Sequence, residues 1–145
     1  MALSRNQLIV LHAIREGGAR AQTAYDLLAR VAPLGLRGPQ TVYRALDSLR
    51  AAGLVHRIAS LNAFVPCSHA HDDDHLAQHH HRPCFAVCRD CGAVSELDDP
   101  ALGAVLGVVG RGSGYAVAEQ VVELVGRCPA CLEADQTEVM VSQQA

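Results

Sequence analysis

Three segments in the first part of the chain carry apolar residues at helical spacing, and each begins with residues that favour a helix start. Ser4 with Gln7 and Thr23 with Asp26 have the capping-box pattern, and Pro39 suits the first position of a third helix. The expected inward-facing residues are Leu8, Leu11 and Ile14, then Leu27, Leu28 and Val31, then Val42, Leu46 and Leu49. The helices are expected to end at Gly17-Gly18, Pro33 and Gly53.

The third helix, from about Gln40 to Ala52, is followed by two short apolar runs that predict a β-hairpin. The runs are residues 54–58 and 63–65, and Ala-Ser-Leu-Asn between them supplies the turn. Three helices and a hairpin in this order are typical of a winged helix-turn-helix, whose third helix enters the major groove of DNA. A small helical domain without DNA-binding function shows the same periodicity, so the pattern alone leaves both interpretations open.

The second half of the chain predicts a small α/β unit. Residues 85–87 and 93–97 suit two strands that flank a cysteine-rich turn, and an Asp-Asp-Pro motif caps a helix through about Val109. Alternation over 115–125 predicts a long strand, whereas the polar residues from Glu133 onwards predict a frayed tail. The predicted fold class is α+β, with a winged helix-turn-helix domain at 1–66, a hinge and His-rich loop at 67–83, a small α/β metal-binding domain at 84–135 and a tail at 136–145.

Charge is divided unevenly along the chain, although the net charge is only −3. Residues 1–58 contain eight arginines and three acidic residues, a net charge of +5, whereas residues 59–145 contain four arginines and twelve acidic residues, a net charge of −8. This division predicts that only the N-terminal part contacts a polyanion. No apolar run approaches the ~20 residues that span a bilayer, and the N-terminus lacks a secretory pattern, so we expect a cytoplasmic protein without a membrane partner.

Four of the six cysteines form two Cys-x-x-Cys pairs, Cys88 with Cys91 and Cys128 with Cys131. Two such pairs supply the four thiolates of a tetrahedral zinc site, and the glycine after the first pair lets the backbone turn beneath the sulfur atoms. A site closed by four thiolates has no position for water, so we expect it to be structural and to staple the end of the chain onto the small sheet. The competing interpretation is free thiols on two unrelated turns.

A second group of potential metal ligands is spread along the chain: His56, Cys67, His81 and Glu96. Taken singly, a wing histidine, a small buried cysteine and a solvated glutamate at a strand end have ordinary interpretations. Their placement is what matters, because His56 lies in the winged domain, Cys67 in the hinge and the other two in the second domain. A metal ion bound by all four would lock the relative orientation of the two domains.

Several of these motifs, in this order, resemble the ferric uptake regulator family, and in particular its zinc uptake branch. They are Thr-Val-Tyr-Arg-Ala-Leu-Asp-Ser-Leu at 41–49, Gly-Leu-Val-His at 53–56, Cys67, His81, Cys-Arg-Asp-Cys-Gly-Ala-Val-Ser-Glu at 88–96 and Cys-Pro-Ala-Cys at 128–131. The resemblance implies a homodimeric, metal-dependent repressor with two zinc ions per chain. It would bind operator DNA through the winged domain and dimerise through the α/β domain.

The resemblance also implies roles for individual residues. The structural zinc site of the family is matched by Cys88, Cys91, Cys128 and Cys131, and its regulatory zinc site by His56, Cys67, His81 and Glu96. The DNA-contacting pair of the family is matched by Tyr43 and Arg44, to which we add Thr41 and Arg50 of the same helix as candidates. Cys84, His79 and His80 remain alternatives to His81.

Departures from the iron-sensing pattern favour zinc. Iron sensors carry His-His-Asp-His just before the first cysteine pair, where this chain has Arg-Pro-Cys-Phe at 82–85, and a histidine where it has Gln120. A ligand set that contains a thiolate also prefers zinc to ferrous iron. The leading hypothesis is a zinc-responsive transcriptional repressor of zinc uptake genes, active as a zinc-loaded dimer. It is not expected to be an enzyme, because no His-Glu-x-x-His motif is present and neither site has a vacant position.

Two alternatives stand beside this hypothesis. One is a zinc-buffering or metallochaperone protein in which the His-rich loop at 69–81 binds additional metal, since this loop is not part of the usual family pattern. The other is an iron- or peroxide-sensing member of the same family.

Overall fold

The computed structural model describes residues 2–68 and 83–142. In the first range, three helices precede a two-stranded antiparallel hairpin, as predicted. The elements are α1 (Arg5–Glu16), α2 (Ala24–Val31), α3 (Pro39–Ala51), β1 (Val55–Ile58) and β2 (Ala63–Pro66). The register pairs Val55 with Pro66 and Ile58 with Ala63, and a 3₁₀ turn, Ala59–Leu61, joins the two strands. This order of elements is that of a winged helix-turn-helix domain.

Both predicted capping boxes form, and they determine where α1 and α2 begin. The Ser4 hydroxyl accepts a hydrogen bond from Gln7 N, and the Gln7 side chain accepts one from Ser4 N at 2.7 Å. Thr23 and Asp26 make the same reciprocal pair, with distances of 3.1 and 2.9 Å. Each box satisfies two backbone amides that a helix start otherwise leaves without an intrahelical acceptor.

The apolar faces of the three helices meet in one core. Its completely buried members include Ile14, Leu27, Val31, Val42, Leu46 and Leu49, each 0% exposed. The prediction that Leu8 belongs to this face is wrong, because its side chain is 53% exposed. The predicted Leu11 and Ile14 are buried, and Val10 is buried in place of Leu8, so the apolar stripe of α1 is rotated away from Leu8.

The turn between α1 and α2 is built around the buried side chain of Gln22. Its amide nitrogen donates to the Ile14 carbonyl at 3.0 Å, and its oxygen accepts from Arg30 at 2.6 Å. A Cβ at Gly17 would lie 2.0 Å from the Gln22 amide nitrogen. Because position 17 has no side chain, the Gln22 amide can reach the last turn of α1 and donate a hydrogen bond to the Ile14 carbonyl, which has no donor four residues later within the helix.

The second range forms a three-stranded sheet with two helices. Its elements are β3 (Cys84–Cys88), β4 (Val94–Leu97), α4 (Pro100–Gly112), β5 (Val122–Gly126) and α5 (Pro129–Ser142). The strand order is β4-β3-β5, with β4 antiparallel and β5 parallel to the central β3. Because β3 and β5 are parallel, their carboxyl ends lie at the same edge of the sheet.

Two predictions for this region are wrong. The predicted strand over 115–125 is only Val122–Gly126, because β3 pairs all five of its residues with β5 and no other strand of the described residues pairs with 115–121. The predicted frayed tail from Glu133 onwards lies instead in α5, which extends to Ser142. Arg127, two residues before this helix, donates hydrogen bonds to the Asp135 side chain and to the Cys131 carbonyl within it.

The linker between α1 and α2 connects the two domains through backbone hydrogen bonds. On one side, Gln22 exchanges two hydrogen bonds with Phe64 of β2, at 2.8 and 3.0 Å. On the other side, Ala21 N donates to Gly92 O at 2.9 Å and Val94 N donates to Ala19 O at 2.8 Å. Ile58, Val65, Phe85, Val87 and Val94 form a buried apolar cluster between the hairpin and the second sheet. The domains are therefore in direct contact along the hairpin.

The second domain has an exposed apolar face on α4, formed by Val105, Val108 and Val109 at helical spacing. Leu124 and Val125 of β5, which project from opposite faces of the sheet, and Leu132 of α5 are also exposed. No residue of α4 is buried. Among the described residues, no helix combines the length and the apolar character needed to cross a bilayer.

Candidate metal centres and recognition helix

The sheet topology brings the two Cys-x-x-Cys pairs together. Cys88 ends β3 and Cys91 lies in the turn that follows, while Cys128 and Cys131 lie at the junction of β5 and α5. The parallel pairing of β3 with β5 places both pairs at the same edge of the sheet. Gly92 completes the first turn with a φ of 73°, a left-handed conformation that favours glycine.

The four sulfur atoms have the spacing of a zinc tetrahedron. Cys88 Sγ lies 3.8 Å from Cys131 Sγ, and Cys91 Sγ lies 3.7 Å from Cys128 Sγ. A tetrahedron with Zn–S bonds of about 2.3 Å has S–S edges of about 3.8 Å. The cluster therefore fits a structural zinc ion bound by four thiolates, as the sequence predicts.

Hydrogen bonds within this cluster shift the pKa values of two of its thiols in opposite directions. Backbone N–H groups of Cys91 and then Cys128 donate to the Cys88 sulfur, and they lower the pKa of that thiol to about 6 against the opposing effect of burial. Side-chain hydrogen bonds with Cys128 and then Cys91 raise the pKa of Cys131 to about 12. Backbone donors thus favour the thiolate form of Cys88, whereas hydrogen bonds with neighbouring cysteine side chains disfavour it for Cys131, and a bound cation would favour the thiolate form of all four.

A second cluster joins the winged domain to the sheet. His56 of β1, Cys67 just after β2 and Glu96 of β4 place their ligand atoms within 4.8 Å of one another. Glu96 is oriented by Ser68, whose backbone N and hydroxyl donate to Oε2 at 3.0 and 2.8 Å. The other carboxylate oxygen, Oε1, lies 3.6 Å from His56 Nε2.

The chemistry of this second cluster suits zinc. It offers one imidazole nitrogen, one sulfur and one carboxylate oxygen, and a donor set with a thiolate favours zinc over ferrous iron. Phe85 closes one side, with its ring centroid 5.3 Å from that of His56. The predicted fourth ligand, His81, lies outside the described residues, as do His79 and His80. Cys84 is described, and it belongs to neither cluster.

The candidate DNA-binding residues lie along α3. Tyr43 is 44% exposed and Arg44 is exposed, on the side of the helix away from the core, while Thr41 is half-buried in its first turn. Arg50 lies at the other end and faces the second domain. Its guanidinium is 3.7 Å from Glu119 and 3.9 Å from Asp47. The sequence analysis did not single out Glu119 or Glu123, since both lie within the predicted strand over 115–125 and neither belongs to a local motif.

Comparison with known proteins identifies the family. The model of the Ferric uptake regulator family matches residues 3–125 of the 145-residue chain. The chain belongs to this family. The Zinc uptake regulation protein of Escherichia coli strain K12 is 33% identical over 131 residues, which cover 90% of this chain and 72% of that protein. Members of the family are transcription regulators, which confirms the prediction that this member is not an enzyme.

Solved structures of family members support the same fold. A zinc uptake regulator complexed with zinc and DNA is 32% identical, with a TM-score of 0.81, and the match covers 94% of this chain and 87% of that chain. The crystal structure of holo XcZur is also 32% identical, with a TM-score of 0.77, and the match covers 92% of this chain and 88% of that chain. These matches confirm the predicted α+β fold class.

Proposed function

We propose that this chain is a zinc-responsive repressor that binds operator DNA in front of zinc uptake genes, acting in the cytoplasm as a zinc-loaded homodimer. The observation that carries this proposal is the cluster of His56, Cys67 and Glu96, which unites ligands from two domains. The likeness to a zinc uptake regulation protein and to a regulator solved with zinc and DNA supports it.

The two clusters support the proposal of two zinc ions per chain. Cys88, Cys91, Cys128 and Cys131 would hold a structural ion, because four thiolates leave no open position. His56, Cys67 and Glu96, with His81 as the fourth ligand, would hold the regulatory ion. We keep the division into a winged domain at 1–66, a hinge at 67–83 and a metal-binding domain from 84, but the proposed boundary at 136 falls within α5.

The regulatory cluster would act by holding one arrangement of the two domains. His56 lies in β1 and Cys67 follows β2, whereas Glu96 is part of the second sheet. These ligands meet only when the hairpin lies against that sheet. Zinc bound there stabilises this closed arrangement, and DNA that selects the same arrangement must raise zinc affinity by the same factor as zinc raises DNA affinity.

A homodimer would cover the exposed apolar face of the second domain. Val108 of α4 is 62% exposed and Leu124 of β5 is 58% exposed, in a domain whose α4 has no buried residue. Large apolar side chains exposed in this way are typical of an interface between copies. Two copies joined there would present their α3 helices to successive major grooves, ~34–36 Å apart.

Arg44 and Tyr43 are the proposed principal DNA contacts. An exposed arginine on a recognition helix can donate two hydrogen bonds to a guanine edge, and a tyrosine beside it reaches a phosphate or a thymine methyl group. Thr41, in the first turn of α3, and Arg50, in its last turn, are the proposed secondary contacts. Arg50 would have to exchange its ion pairs with Glu119 and Asp47 for DNA.

The test is operator binding by the full chain at buffered free zinc concentrations. Glu96→Ala and His81→Ala should each remove one zinc ion per chain and abolish the zinc-dependent rise in DNA affinity. Zinc in the four-thiolate site, fold and dimerisation should survive, as they should in the control Asp98→Ala, which alters an exposed carboxylate close to Glu96. The proposal is wrong if wild-type protein binds the operator equally well after chelation. Loss of the response on deleting 69–80 alone would instead favour metal binding by the His-rich loop.

A further inference from the structure

Glu123 of β5 makes a contact between the domains that involves no metal ligand. Its Oε1 accepts a hydrogen bond from Ala59 N at 2.5 Å, and its Oε2 accepts one from Ser60 N at 3.0 Å. Ala59 and Ser60 begin the 3₁₀ turn at the tip of the β1–β2 hairpin. Both oxygens of one carboxylate therefore bind the wing, across more than 60 residues of sequence.

The register of the second sheet places this contact in line with the regulatory cluster. Phe85 of β3 is paired with Glu96 on one side and with Glu123 on the other. Residues directly opposite each other on neighbouring strands project from the same face of a sheet. One row of three side chains thus faces the hairpin: Glu96 reaches the metal cluster, Phe85 contacts His56, and Glu123 binds the wing turn.

The surroundings of Glu123 favour its charged form. Burial alone raises the pKa of the carboxyl. Hydrogen bonds from Ser60 and Ala59 and the nearby charge of Arg57 together lower the pKa by more than burial raises it, so the net effect is a lowered pKa. An ionised carboxylate that accepts two backbone N–H bonds makes a stronger contact than a neutral pair. The ion pair of Glu119 with Arg50 is different, because its side chains are 71% and 35% exposed and its distance is 3.7 Å.

We propose that Glu123 is a positioning residue that docks the wing against the second sheet and thereby lowers the free zinc concentration at which the protein binds DNA. The inference rests on the proposed function, because it assumes that the arrangement with His56, Cys67 and Glu96 together is the one that binds DNA. A contact made only in that arrangement raises its population before zinc binds. Zinc ligands that are already assembled bind zinc more tightly.

The test compares wild-type protein with Glu123→Gln as full-length dimers. An amide presents one acceptor oxygen and turns its NH₂ group towards the second wing amide, so one hydrogen bond is lost and a donor faces a donor. We expect the free zinc concentration for half-maximal operator binding to rise about 10-fold, within the usual range of coupling between sites. Maximal DNA affinity at saturating zinc and the zinc content of the four-thiolate site should not change.

Two further variants make the comparison specific. Glu133→Gln makes the same chemical change at an exposed position of α5 and should leave the zinc midpoint unchanged. Glu123→Asp keeps the charge but shortens the side chain, so its midpoint should lie between those of wild type and Glu123→Gln. A midpoint in Glu123→Gln equal to that of wild type would overturn the proposal. So would an equal loss of DNA affinity at every zinc concentration, because that result indicates a damaged fold.

Hydrogen exchange separates this inference from the proposed function. In wild-type protein the amides of Ala59 and Ser60 should be protected, and in Glu123→Gln they should exchange faster, while the amides of Leu46 and Leu49 in α3 stay unchanged. If wild-type protein shows no zinc-dependent DNA binding, the proposed function fails, and the exchange result still decides whether Glu123 holds the wing. Equal exchange of the two wing amides in both proteins would show that it does not.

Discussion

The winged domain and the metal-binding domain bury their apolar side chains to very different extents. In the first, Leu27, Val42 and Leu46 are completely buried between three helices. In the second, α4 contributes no buried residue, and Val108 on its surface is 62% exposed. The winged domain thus has a core of its own. We infer that the second domain relies on its proposed zinc site and on the proposed dimer, so a loss of metal should affect the two domains unequally.

The largest expected effect comes from breaking the four-thiolate cluster. Cys128→Ser should release the structural zinc, whose binding contributes ~10–16 kcal/mol in comparable peptides, and the second domain should unfold with loss of the dimer. Sedimentation and hydrogen exchange resolved by residue would follow both changes. The α1–α3 core should keep its protection, and Cys84→Ser, at a buried cysteine outside both clusters, should keep zinc and dimer. A folded dimeric Cys128→Ser protein would contradict this account.

A substitution in the core of the winged domain should destabilise that domain and leave the metal-binding domain intact. Leu46→Ala removes a completely buried side chain from α3 and should lower the free energy of unfolding of the winged domain by about 2–5 kcal/mol. Its structural zinc content should be normal. The matched change in the other domain, Val108→Ala, should alter the folding of one protomer by less than about 0.5 kcal/mol but weaken the dimer. Urea unfolding and sedimentation at several concentrations distinguish the two; similar effects of both variants on unfolding would show that α4 has a core we have not recognised.

A substitution on the recognition helix should affect DNA binding without affecting the metal-binding domain. Arg44→Ala should weaken operator binding by ~1–3 kcal/mol if the guanidinium contacts a base, because that contact discriminates between sequences. Neither metal content nor dimerisation should change, since Arg44 is exposed and belongs to neither cluster. Titration of operator and scrambled DNA measures the effect. An equal loss on both DNAs would make Arg44 a phosphate contact only.

The smallest expected effect concerns the capping box of α2. A hydrogen bond from the Thr23 hydroxyl, and then one from its backbone N–H, lower the pKa of Asp26 below its usual 3.8. The carboxylate therefore stabilises the fold above about pH 4, and this contribution is lost as pH falls through the lowered pKa. Asp26→Asn should cost roughly 0.5–1 kcal/mol at neutral pH.

The difference between wild type and Asp26→Asn, measured by urea unfolding, should shrink in acid. Zinc release at low pH affects both proteins alike, so it does not enter the difference. Asp98→Asn, which makes the same change at an exposed residue outside any capping box, is the control for the effect of removing one carboxylate on the free energy of unfolding. A difference that persists unchanged to the lowest pH would show that the charge of Asp26 has no part in capping.

Features that depend on near neighbours in the chain were predictable from the sequence. A capping box joins residues three apart, and helical periodicity is complete within a few turns, so the starts of α1, α2 and α3 agree with prediction. The Cys-x-x-Cys pairs are equally local. Each pair forms from a single turn, and the chemistry of the side chains specifies the metal before the fold is known.

The extent of β5, the existence of α5 and the contacts between domains were decided by the tertiary structure. Residues 115–121 alternate like a strand, yet β3 is too short to pair with them. Glu123 resembles any polar strand residue until the wing, more than 60 residues earlier, supplies two amides. His56 and Glu96 meet because β4 pairs Glu96 with Phe85 and the hairpin packs on that row. Hydrogen-bond register and packing between domains set these distances, and neither is encoded in a local pattern of residues.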